Sequence, residues 1–129
     1  VDPVLPGLND DPEGLRELVR AIAEAGAKQV TSSTFKPVRR TFSIIKEADE
    51  DLHELLRPAY SAPGARWIGG YLYLPAKLRH KIMSIVREMA LAEGLEFAVC
   101  REGFPELNTT ICDGTAYLRS RGLEKFLRP

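Results

Sequence analysis

The apolar positions of the chain change period several times, and each change marks an element. Leu15, Leu18, Val19, Ile22 and Ala25 recur at helical spacing, with Glu13, Arg16, Glu17, Arg20 and Glu24 mostly on the opposite side. Asp11 is a good N-cap, Pro12 suits the first helical position, and Gly26 supplies a left-handed stop. Short β-branched runs flank this helix: residues 1–5 before it and "KQVTSSTF" after it. Strand, helix and strand with short loops form a βαβ unit, so the two strands are expected to be parallel.

Further along, "VRRTFSIIKEADEDLHELLRPAY" is helical in character, with Phe42, Ile45, Leu52, Leu55 and Leu56 on the buried side. Two helices are expected to meet near Asp49, the second stopped by Pro58. "SAPGARWIGG" reads as loop, and "YLYL" is short and ambiguous. Pro75 opens the clearest helix, with the stripe Leu78, Ile82, Ile85, Val86 and Met89 and a stop at Gly94. "LEFAVC", residues 95–100, alternates as a third strand, and "LEKFLRP" predicts a short terminal helix. The pattern is that of an α/β fold with short parallel strands flanked by helices.

Length and composition bound the picture. At 129 residues, 44% hydrophobic and 28% charged, the chain holds one ordinary globular core. Zero formal net charge gives no global pull toward nucleic acid or membrane. No apolar run approaches membrane-spanning length. Two cysteines are too few for a disulfide scaffold, which predicts a reducing, cytoplasmic setting. "VDPVLPGLNDD" is β-branched from its first residue, as though a strand had been cut partway. A piece of a longer protein is therefore expected, with an unpaired strand edge that favours a homodimer.

Parallel α/β sheets carry function at the C-terminal ends of their strands. Three such ends are expected here, "PGLND" at 6–10, "SSTFKP" at 32–37 and "CREG" at 100–103, converging on one rim. The first offers backbone N–H groups and Asn9 to an anion or a purine edge, or is simply a capped turn. The second offers the hydroxyls of Thr31, Ser32, Ser33 and Thr34, of which at most two face any one ligand. The third carries Cys100, with Cys112 twelve residues on in a polar, turn-rich stretch. That spacing is not a zinc pattern, and His53 and His80 are distant in sequence. Arg101 and Glu102 either pair with each other's neighbours or bind a substrate, Asn108, Thr109 and Thr110 satisfy loop backbone as often as they bind anything, and Asp113 with Gly114 suggests a turn. Lys77, Arg79, His80 and Lys81 crowd a helix N-terminus, where the dipole disfavours cations. With Lys36, Arg39 and Arg40 they form either an anion-binding surface suited to a phosphate backbone or a solvated face.

"PVLPGLNDDPEGLRELVRAIAEAGAKQV" resembles the fifth strand and following helix of radical S-adenosylmethionine enzymes. "YLYLPAKLRHKI" and "GLEFAVCREGFPELNTTICDG" resemble the C-terminal part of the spore photoproduct lyase-like branch, archaeal type. The resemblance implies the last strands of an incomplete (β/α) barrel, with residues 1–60 as its last βα units and 61–129 as a family-specific extension. It implies that Pro6, Gly7, Leu8, Asn9, Ser33 and Thr34 lie by the adenine of S-adenosylmethionine. Cys100 and Cys112 would face the substrate, donate a hydrogen atom or help ligate a second cluster. Arg79, Lys81, Arg101, Glu102, Asn108 and Asp113 would serve substrate or anion. The family's 4Fe-4S cluster is held by a CxxxCxxC loop, which this sequence lacks. No metal ligand set is therefore expected within the chain, nor catalysis by it alone. The missing N-terminal part of the same protein is the implied partner, with nucleic acid as a candidate substrate. The competing expectation is a stand-alone α/β nucleic-acid-binding or interaction module.

Overall fold

The computed structural model describes residues 1–122. The terminal helix expected from "LEKFLRP" lies outside the described residues. Helix α1 (Pro12–Glu24) starts where the sequence places it: the Asp11 carboxylate accepts the Gly14 N–H at 2.8 Å, and Pro12 occupies the first turn. Strands β1 (Gln29–Ser32) and β4 (Glu96–Val99) pair in parallel, with Val30 opposite Phe97 and Ser32 opposite Val99. Residues 1–5 join on the other side of β1 through one parallel bridge, Val4 to Thr34. The Val4 N–H donates to the Ser33 carbonyl at 2.8 Å, and the Phe35 N–H donates to the Val4 carbonyl at 2.9 Å. The sequence-predicted parallel arrangement is thus present as a small sheet.

Alternation along these strands separates two faces. Val30, Phe97 and Val99 enter a core with Leu15 and Val19 of α1 and with Ile82, Met83 and Val86 of α4 (Ala76–Ala92). Gln29, Thr31 and Cys100 belong to the other face. The free edge of β4 is closed by residues 108 and 109: Asn108 Oδ1 accepts the Val99 N–H at 2.7 Å, and Thr109 Oγ1 accepts the Phe97 N–H at 2.9 Å. The chain then crosses β1, where Gln29 Nε2 and Thr31 Oγ1 donate to the carbonyls of Ile111 and Cys112, both at 2.8 Å. Helix α5 (Thr115–Ser120) follows, an element the sequence pattern does not announce.

A second core lies beside the first. Helices α2 (Arg39–Ala48) and α3 (Glu50–Tyr60) meet at Asp49, which ends one and caps the other by accepting the Leu52 N–H at 2.9 Å. Pro58 does not stop α3, which runs to Tyr60. It lies in the last turn, where the loss of one N–H leaves the following Ser61-to-Arg57 bond intact at 2.9 Å. The expected loop at 61–70 is also corrected. Strand β2 (Arg66–Ile68) pairs antiparallel with β3 (Tyr71–Tyr73). Gly69 and Gly70 both have positive φ, 56° and 84°, as a two-residue hairpin turn of matching twist requires. Leu72 of this hairpin, like Leu5, Phe35 and Phe42, packs against Leu56, Tyr60 and Leu74. Segments on both sides of residue 60 share these cores, since β1 pairs with β4 and α1 packs on α4.

Candidate functional site

Parallel pairing sends residues 5–7, 33–35 and 100–102 out of the same end of the sheet. A polar cavity of about 240 Å³ opens there, lined by Asp2, Pro3, Ser33, Thr34, Phe35, Lys36, Cys100 and Arg101. The second and third expected strand ends therefore meet. The first runs past them: the turn at 6–9 packs on α3, where a β-carbon on Gly7 would come within 3.2 Å of Leu55 Cδ1. Gly7 also has φ of 78°, so both backbone and space call for glycine.

Residues 7–9 have no spare N–H donors, so of the two readings of this stretch the capped turn matches the structure. The Gly7 N–H donates to Asp10 Oδ1 at 2.7 Å, and the N–H groups of Leu8 and Asn9 both donate to the Leu5 carbonyl. Asn9 Oδ1 accepts the Leu5 N–H at 2.7 Å, and its Nδ2 donates to the Pro3 carbonyl. What the turn presents is the exposed Leu8 side chain.

Behind the cavity is a buried ionic cluster that sequence reasoning missed. Glu102, read from sequence as either a pairing or a substrate-binding residue, is fully buried and forms the centre of it. Its Oε1 accepts from Thr34 N at 2.6 Å, Thr34 Oγ1 at 2.8 Å and Lys36 Nζ at 2.5 Å. Its Oε2 accepts from Arg79 Nη1 at 2.9 Å. Burial alone pushes the Glu102 carboxyl up, but the donations from Lys36, Arg79 and the Thr34 N–H outweigh it and hold the group below the usual carboxylate range. Arg79 also donates to the carbonyls of Leu74 and Glu102. Its guanidinium lies 5.2 Å from the Tyr73 ring and 5.0 Å from the Phe104 ring. Nearby, the Tyr60 hydroxyl donates to the Phe35 carbonyl and is pushed up, first by burial and then by the charge of Glu102.

This cluster corrects the expected basic surface. Arg79 is buried and cannot contact a phosphate backbone, whereas Lys81 is exposed and lines a separate groove with Asp10 and Asp11. Lys36 is likewise turned inward, away from the exposed Arg39 and Arg40. Two cations share one carboxylate, so the buried group keeps a surplus positive charge, and the Lys36 end of it borders the cavity. The hint available in sequence was Arg79 itself, three residues before Ile82 and four before Met83 on the apolar side of α4.

At the mouth stands Arg101, the one non-glycine residue with positive φ, 53°, among the described residues. That conformation is disfavoured for a side chain with a β-carbon. It aims the guanidinium over the Tyr71 ring at 5.2 Å. Asn108 and Asp113 serve backbone: Asn108 closes the β4 edge, and Asp113 Oδ1 accepts the Thr115 N–H at 2.9 Å, which holds its carboxyl below the usual range. Cys100 borders the cavity and Cys112 is exposed beyond it; both are free thiols. Among the described residues, no three His, Cys, Asp or Glu side chains converge as a metal site, and no helix is long and apolar enough to cross a membrane.

No protein-family model, curated protein or solved structure matches the chain.

Proposed function

We propose that the chain is the C-terminal portion of a radical S-adenosylmethionine enzyme of the spore photoproduct lyase-like branch, contributing the adenine-side rim of the cofactor site and part of the substrate site. The observation that carries this reading is the cavity where parallel strand ends meet, bordered by Ser33, Thr34, Lys36, Cys100 and Arg101. A ligand site at that end of a parallel α/β sheet is the general expectation for such folds. The second face of the sheet is polar at Gln29, Thr31 and Ser33 and is crossed by the 111–112 segment. In this reading Ser33 and Thr34 fix the rim, and the surplus charge beside Lys36 and Arg101 attracts a carboxylate or phosphate.

The iron–sulfur cluster does not fit this chain's own residues. Two thiols are present where three are needed. In this reading the cluster belongs to another segment of the protein. The residues described bind and orient. A second reading, a nucleic-acid-binding module without catalysis, draws on Arg39 stacked 5.1 Å from the exposed Trp67 ring.

The test is the gene. A CxxxCxxC triplet encoded in frame upstream of this segment is the expected result. A reading frame that starts within a few codons of Val1 would overturn the proposal.

A further inference from the structure

Cys100 and Cys112 are held on neighbouring residues of β1. The Cys100 N–H donates to the Ser32 carbonyl at 2.9 Å, while the Cys112 carbonyl accepts from Thr31 Oγ1 at 2.8 Å. Strand alternation puts Cys100 on the same face as Thr31, the face that the 111–112 segment crosses. The Cys112 thiol is pushed up, first by desolvation and then by Cys100. Cys112 is exposed and Cys100 half-buried.

We infer that Cys100 and Cys112 form a reversible dithiol–disulfide couple that exchanges with small-molecule disulfides of the glutathione class. The exposed Cys112 thiolate attacks one sulfur of the small disulfide, forming a mixed disulfide and releasing one small thiol. The Cys100 thiolate then attacks the Cys112 sulfur and expels the second small thiol. Two electrons pass from the protein thiols to the small disulfide, and the two protons end on the released thiols. The raised Cys112 thiol makes the first step slow at neutral pH and faster as pH rises. The new bond ties the 101–111 loop, with Arg101 and Glu102 in it, covalently across the sheet face. The inference goes beyond the proposed function and needs neither S-adenosylmethionine nor a cluster.

The experiment equilibrates the chain in glutathione buffers of stepped ratio, quenches with an alkylating reagent and weighs the product. The chain should pass from two alkylated thiols to none in one two-electron transition and stay monomeric on a non-reducing gel. Trypsin cuts after Arg87, Arg101 and Arg119, so residues 88–101 and 102–119 should emerge linked and separate on reduction. Cys100→Ser should instead take up one glutathione per chain. Two glutathiones on the wild-type chain, a disulfide between chains, or two alkylatable thiols at the most oxidising ratio would each overturn the inference.

Discussion

The Glu102 carboxylate and the Arg79 guanidinium meet at 2.9 Å, with neither side chain more than 5% exposed. This pair ties the loop after β4 to the first turn of α4, and Lys36 brings in the segment after β1. The cavity wall therefore rests on an ion cluster whose three members come from three parts of the sequence. Breaking such a cluster leaves charge without a partner in a dry site, which costs more than the intact cluster contributes.

Replacing Glu102 by glutamine keeps the shape and removes the charge. Lys36 and Arg79 then face each other's charge without an anion between them. We expect Glu102→Gln to lose about 3–5 kcal/mol of stability, read from urea denaturation. A loss below about 1 kcal/mol would show that water reaches the cluster and screens it.

Acid should act on the same carboxylate. Its folded-state pKa is depressed, so its contribution is complete above the unfolded value of about 4.3 and is lost as pH falls through the folded value. Wild type is therefore expected to lose stability below about pH 4.3 more steeply than Glu102→Gln. Parallel slopes in denaturation midpoints from pH 5 to pH 2 would contradict this account of Glu102.

Arg101 separates binding from folding. Glycine there relieves the positive-φ strain and gives up the stacking on Tyr71, two changes of opposite sign. Arg101→Gly is expected to leave the unfolding midpoint near wild type while weakening anionic ligands at the cavity severalfold. A folding defect as large as that of Glu102→Gln would mean that Arg101 braces the loop.

Local signals made much of the fold legible. Asp11 with Pro12, Gly26, Asp49 and Gly94 each act within a few residues, and each bounds an element in the structure. The parallel pairing followed from the βαβ pattern. The β2–β3 hairpin was missed because each strand has only three residues, too few to show alternation, and Gly69–Gly70 reads equally well as loop. The shared strand ends were also readable, since chain direction fixes them. The ion cluster was legible only in part: Arg79 stands on the apolar side of α4, but its partner Glu102 is 23 residues away. At Asn9 the capped-turn reading is the one that the hydrogen bonds match: the amide closes its own turn.

The central claim is that the strand-end cavity is part of an S-adenosylmethionine site. It is tested most directly by titrating the isotope-labelled chain with S-adenosylmethionine and following backbone amide shifts. The account predicts saturable, weak binding, with shifts confined to Ser33, Thr34, Lys36, Cys100 and Arg101 and reduced in Arg101→Gly. Absence of shifts at those residues at millimolar ligand, or shifts centred on the Asp10–Lys81 groove instead, would contradict it.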